Sequence, residues 1–338
     1  IKDVAREANV SVGTVSKILN GGKCADERHE RVYEAIKSLN YQPNVYARAV
    51  RSAKSNCIGL LLEKNVYRTS NLWLDGWLSS LLQAIAKTNF RSEIITVDSQ
   101  DANFDCSRFL QFDGLISFGH FYDQFWQKMD QQCNVPLVTY FEQAKYKYGF
   151  TYPVELEDGM QKIARHLYDC GHREIAFVAD QSDVARFKMK KFGEAMTAIY
   201  PEYNRELLIS APELNTATEF GMYLTNFVLS NFPNVSTIFY VSDSYANGGL
   251  CTLMQQRLRI AQEISIVSYD HTSWTENFMP KITGVGINFR KTTQKLVDLL
   301  VATIKEETET ANQLKEQAIT LEYFPGNSVK KIKSNIKG

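Results

Sequence analysis

From Cys57 onward, short apolar runs of strand type alternate with longer segments of helical period, and this alternation limits the fold more than any other feature. The strand-type runs are CIGLLLE, RSEIITVD, FDGLISFG, NVPLVTYF, EIAFVAD, STIFYVSD and EISIVSYD. Among them lie NLWLDGWLSSLLQAIAKT, FYDQFWQKMDQQ, EDGMQKIARHLYDCG, KKFGEAMTAIY, ATEFGMYLTNFVLSNF, ANGGLCTLMQQRL and FRKTTQKLVDLLVATIKEE. Strands separated by helices pair in parallel through right-handed crossovers, with the helices covering the sheet. The predicted body is therefore α/β, and about 280 residues are enough for two such lobes. Ligands in parallel sheets sit beyond the carboxyl ends of the strands, and between lobes where there are two. Neither GxGxxG nor GxxxxGK[ST] occurs, so no nucleotide-phosphate cradle is indicated.

The first 41 residues follow a different grammar. KDVAREAN (2–9) reads as a first helix with Val4, Ala5 and Ala8 inward, and Asn9 suits a left-handed helix end. VSVGTVSKILN (10–20) reads as a second helix capped by Ser11, with Val12, Val15 and Leu19 on one face and Ile18 beside them. DERHERVYEAIKSLNY (26–41) is a third, with Val32, Ala35, Ile36 and Leu39 as its buried stripe. Two short helices joined by about three residues form a helix-turn-helix pattern. Pro43 ends the third helix, and QPNVYARAVRSAKSN reads as a basic linker that Asn44 can cap as a short helix.

Charge is uneven in a chain of zero net charge. Residues 1–54 hold ten Lys/Arg against six Asp/Glu, a net +4, leaving −4 on the rest. A basic front on a mildly acidic body points to a polyanion partner for the front alone. The six cysteines (24, 57, 106, 133, 170, 251) form no CxxC pair and no zinc-type cluster, so no metal, cofactor or disulfide framework is expected. Free thiols fit a cytoplasmic location. The opening IKDVAREA is amphipathic rather than a signal peptide, and no apolar run has membrane-span length. Scattered histidines without GxSxG or HExxH argue against an enzyme.

IKDVAREANVSVGTVSKILNGG followed by ERVYEAIKSLNYQPNVYARAV resembles the headpiece and hinge of the LacI/GalR family of bacterial transcription regulators. The likeness continues through FDGLI, VPLVTY, EDGMQKIARHLYDCGHREIAFVAD, SDSYANGG, EISIVSYDHT and MPKITGV, in the family's order. It implies a helix-turn-helix headpiece (1–42), a hinge helix or linker (43–55) and a two-lobed body similar to periplasmic binding proteins (56–338). The N-lobe would take about 56–154 and 286–317, the C-lobe about 155–285 and 318–330, with crossings near 153–157, 282–288 and 318–323.

The resemblance also implies partners and residue roles. A homodimer would bind a palindromic double-stranded operator, with Val12, Gly13 and Lys17 reading base edges in the major groove. Lys17 would donate to guanine and Val12 would touch a thymine methyl, while Gly13 offers only backbone. Ser11, Thr14, Ser16 and Asn20 would contact phosphates. In the hinge, Val50 would wedge into the minor groove beside Asn44, Arg48 and Arg51. The cleft would hold a small carbohydrate effector against Phe141, Arg186, Lys188, Ser242, Asp243, Asp270 and Trp73, with Glu142 and Trp77 as neighbours. Alternatives are a catabolite-control type regulator with a protein or sugar-phosphate co-effector, and a sugar-binding protein without DNA work.

Overall fold

The computed structural model describes residues 2–19, 26–39, 55–65, 71–140 and 143–332. They belong to two compact units, Ile1–Asn56 and Cys57–Gly338.

The first unit contains α1 (Lys2–Glu7), α2 (Val12–Leu19) and α3 (Asp26–Ser38). Asn9 takes the left-handed backbone (φ 50°) that turns the chain between α1 and α2. Ser11 Oγ then accepts from Thr14 N at 3.0 Å, satisfying a donor the helix itself cannot. Val4, Ala5, Ala8, Val15, Ile18, Val32 and Ala35 form one small core. Two expected core residues lie outside it. Val12 is 36% exposed and Leu39 43%. Three short helices bury one narrow stripe each, and on α2 the mid-helix Val15 and Ile18 take it. Val12 opens the helix, and Leu39 lies beyond the last turn of α3.

The second unit begins with β1 (Cys57–Glu63), α4 (Asn71–Ala86), β2 (Arg91–Val97), β3 (Gly114–Phe118), α5 (Asp123–Gln132), β4 (Leu137–Tyr140) and β5 (Gly149–Tyr152). These strands pair in parallel in the order β2-β1-β3-β4-β5. β1 is buried at every residue because it is interior to the sheet and covered on both faces. After the chain crosses at Pro153 come β6 (Val154–Glu155), α6 (Glu157–Asp169), β7 (Ile175–Ala179), α7 (Asp183–Ile199), β8 (Leu208–Ser210), α8 (Ala217–Asn231) and β9 (Thr237–Tyr240). α9 (Asp243–Gln255), β10 (Ser265–Tyr269), α10 (Ser273–Asn277) and β11 (Thr283–Ile287) complete this layer. α11 (Phe289–Ile304) returns to the first sheet, burying Leu296, Val297 and Leu300 in one cluster with Trp77 and Leu81 of α4. α12 (Thr308–Lys315) leads to β12 (Ile319–Phe324) in the second sheet, ordered β6-β12-β11-β10-β9-β7-β8. β12 runs antiparallel to β11, a departure from the all-parallel expectation. No helix among the described residues is long and apolar enough to cross a membrane.

The segment after β12 is held at Lys330 by a buried histidine three residues before β7. His172 is fully buried, with Nε2 donating to the Lys330 carbonyl at 2.9 Å and Nδ1 2.8 Å from Ser236 Oγ. Burial pushes its pKa down to about 4. The folded state therefore favours the neutral ring. Its contribution is complete above about pH 6.5 and is lost as pH falls from there toward 4, on the order of 3 kcal/mol in total. Urea denaturation at pH 7.5 and 4.5 should show a smaller pH-dependent loss for His172→Gln than for the parent chain; equal losses would contradict this role.

Candidate functional site

Two surfaces concentrate the predicted residues, one in each unit. On α2, Val12, Gly13 and Lys17 are all exposed. An added Cβ at Gly13 would meet nothing closer than Ser11 Oγ at 3.6 Å, so internal packing does not require glycine there. Thr14 is half-buried, its hydroxyl 2.9 Å from that of Ser11, so both hydroxyls are already engaged in the cap. Ser16 belongs to α2; its side chain lies outside the described residues, as do Asn20 and the hinge residues Asn44, Arg48, Val50 and Arg51.

In the second unit a cavity of about 560 Å³ opens where the carboxyl ends of strands from both sheets converge. Glu63 ends β1, Phe118 ends β3 and Tyr140 ends β4. Across from them, Asp180 follows β7, Ser242 follows β9 and Asp270 follows β10. Trp73 comes from α4, Lys188 from α7 and Tyr245 from α9. Trp73 stacks on Phe118 with centroids 4.6 Å apart and planes 9° from parallel, giving the cavity a flat aromatic wall. Trp77, one turn along α4, is fully buried and belongs to the core.

The polar wall is more elaborate. Lys188 Nζ lies 3.7 Å from Asp270 Oδ1 and 3.7 Å from the centroid of the Tyr269 ring, an ion pair combined with a cation–π contact. Burial pushes the Asp270 carboxyl up and the Lys188 ammonium down, while each charge draws the other back. Asp270 sits at φ 105°, a backbone region costly for any side chain, and Asp243 N donates to its Oδ2 at 3.4 Å. Ser242 Oγ caps α9 by accepting from Tyr245 N at 3.3 Å. Tyr245 Oη is 3.0 Å from Asp180 Oδ2 and 2.9 Å from Glu213 Oε1. Burial raises the Glu213 pKa, the Tyr245 hydroxyl lowers it and the Asp180 charge raises it.

Lys188, Ser242, Asp270 and Trp73 thus meet at one cavity. Two expected residues do not join them. Arg186 is exposed and outside the lining, because one step along α7 separates it from the buried Ala185 that faces inward. Asp243 is fully buried and turned into the protein, where its Oδ2 accepts from Thr272 N (2.8 Å) and Thr272 Oγ1 (2.7 Å) and its Oδ1 from Ser268 Oγ. It braces the loop that presents Asp270. Phe141 and Glu142 lie outside the described residues. Sequence reasoning missed Glu63, Asp180, Glu213 and Tyr245. For the first two a signal existed: CIGLLLE and EIAFVAD each end a buried strand in an acid.

Residues 1–44 match the family model "Bacterial regulatory proteins, lacI family", and residues 164–328 match "Periplasmic binding protein-like domain". The HTH-type transcriptional repressor PurR of Erwinia tasmaniensis is 25% identical over 339 residues, covering 96% of this chain and 94% of PurR. A PurR of Salmonella arizonae is 25% identical over 301 residues, 84% of each chain. Among solved structures, the lac repressor dimer bound to operator and the anti-inducer ONPF has a TM-score of 0.78 at 20% identity, covering 97% of this chain and 98% of that one. The CelR–cellobiose complex has a TM-score of 0.63 at 21% identity, with the same coverage. With a lacI-type match over residues 1–44 and a periplasmic-binding-protein-like match over 164–328, the chain is similar to the lacI family of bacterial regulatory proteins in both parts and in their order.

Proposed function

We propose that this chain is a lacI-family regulator, a cytoplasmic repressor of sugar-utilisation genes. It binds a palindromic operator as a homodimer, and a small carbohydrate in the body's cavity sets its operator affinity. The observation that carries the effector half is the cavity itself, which joins a flat Trp73–Phe118 wall to a Lys188–Asp270 donor and acceptor pair. A sugar ring presents one apolar face and a rim of hydroxyls, and this arrangement complements both. That CelR was solved with cellobiose, and another lacI-family regulator with ribose, supports the reading. The lac repressor was solved as a dimer on its operator, which supports the DNA half and the homodimer. Exposed Tyr223 and Phe227 on α8 and Met254 on α9 offer an apolar strip that a second copy could cover.

In this reading 1–42 is the headpiece and 43–55 the hinge, with Asn44, Arg48, Val50 and Arg51 in the minor groove. Val12, Gly13 and Lys17 form the reading face, with Ser11, Thr14, Ser16 and Asn20 at phosphates. The test begins with operator selection from random DNA by the full chain. Lys17→Ala should then cost about 1–3 kcal/mol on the selected site and relax a single base position, read by fluorescence anisotropy against single-base variants. An equal loss on every sequence would show that Lys17 only touches phosphate. Absence of any preferred palindrome would overturn the operator reading.

A further inference from the structure

The charges around the cavity do not suit every carbohydrate equally. Among the described residues, four carboxylate side chains line it (Glu63, Asp180, Glu213 and Asp270), against the single ammonium of Lys188. That ammonium already faces Asp270 and the Tyr269 ring. An anionic ligand would enter a field of its own sign.

Glu63 sharpens the point. It is 1% exposed, and among the described residues its carboxylate accepts from Asn65 N at 2.6 Å and Ser99 Oγ at 3.3 Å. Among the described residues no cation pairs with it. A buried carboxylate in a cavity wall without a counter-charge is costly unless something else supplies one.

The Tyr245 hydroxyl poses a second, separate demand. It stands within hydrogen-bond distance of both Asp180 and Glu213. A phenol has one proton, so it can donate to only one carboxylate. Asp180 also accepts from Ser182 N at 2.7 Å, and the remaining acceptor capacity of the two carboxylates is open to a donor that enters the cavity. Glu213 is exposed at the cavity rim, where an entering ligand can reach it.

We infer that the cavity is built for an amino sugar, whose protonated amine binds at the Asp180–Tyr245–Glu213 cluster while its ring lies against Trp73. This rests on the carbohydrate-effector reading and narrows it. An ammonium brings three donors, enough for both carboxylates at once. Ring hydroxyls are left for Asp270 and Lys188, and Glu63 adds negative potential from the wall. N-acetylation would remove the charge, and a phosphate would reverse it.

The test is calorimetric titration of the full-length protein with matched sets: glucose, glucosamine, N-acetylglucosamine and glucose 6-phosphate, then the galactose and mannose counterparts. In at least one set the amine is expected to bind tenfold or more tighter than its parent, its acetylated form and its phosphate. Glu213→Gln, at an exposed position, should bring the amine's affinity down to within about twofold of the parent hexose's, measured on the same variant, with the thermal midpoint of the free variant confirming its fold. A neutral hexose or a phosphate binding tightest would overturn the amino-sugar inference and leave the carbohydrate reading standing. So would a Glu213→Gln variant that weakens parent and amine alike. No binding by any member of the sets would overturn both.

Discussion

Asp243→Ala is expected to destabilise the body by on the order of 4 kcal/mol and, on the function proposed above, to abolish effector control of operator binding. Asp243 takes hydrogen bonds from Ser268 Oγ, Thr272 N and Thr272 Oγ1, all fully buried. Each hydrogen bond to a charged acceptor contributes roughly 1.5–3 kcal/mol, and alanine would strand both Thr272 donors, while the Ser268 hydroxyl keeps the Tyr269 carbonyl at 3.2 Å. The consequence reaches the cavity through geometry. Thr272 lies two residues beyond Asp270, whose unusual backbone (φ 105°) has to be held by its surroundings. Without the brace, the Asp270 carboxylate loses its fixed distance from Lys188. Asp243→Asn keeps the size but turns a donor toward donors, and should recover only part of the loss. Urea denaturation and effector titration on both variants check this. An Asp243→Ala protein that kept full effector affinity would show that Asp270 is positioned by something else.

The second large effect is expected where α8 and α9 pack. A Cβ at Gly248 would lie 2.1 Å from the Thr218 carbonyl oxygen, and one at Gly221 2.1 Å from that of Tyr245. Both clashes are with backbone, so no side chain can rotate away and the helices must separate. Gly248→Ala should cost about 3 kcal/mol by overpacking. Tyr245 sits on the same helix, so moving α9 also pulls its hydroxyl from Asp180 and Glu213. The thermal midpoint should fall and ligand affinity should fall with it. A variant with an unchanged midpoint would mean that the helices accommodate a methyl group. Alanine at Gly13, where only Ser11 Oγ comes within reach, should leave the first unit folded.

Much of the architecture is legible in the chain because periodicity is local. The seven apolar runs lie on β1–β4, β7, β9 and β10, and the first two front helices and their cap follow from spacing and from Asn9 and Ser11. Strands β5, β6 and β8, two to four residues each, are too short to carry a period, and β11 (TGVGI) is interrupted by glycines. β12 (ITLEYF) does alternate, but its antiparallel partnership with β11 is decided by where α11 and α12 return the chain.

The site divides along the same line. CIGLLLE, EIAFVAD, STIFYVSD and EISIVSYD all carry an acid at or just beyond the end of a buried strand, so the sequence by itself determined that carboxylates would gather at the carboxyl ends of the sheets. Only the tertiary structure decided which of them face the cavity. Glu63, Asp180 and Asp270 do; Asp243 begins a helix, and Ser268 and Thr272 claim its oxygens from another segment. Glu213 and Tyr245, 32 residues apart, meet because α8 and α9 pack through glycines. A strand's own residues fix which of its side chains are apolar. Which cavity an acid enters, and what it meets there, is set by donors and neighbours that the fold brings in from elsewhere in the chain.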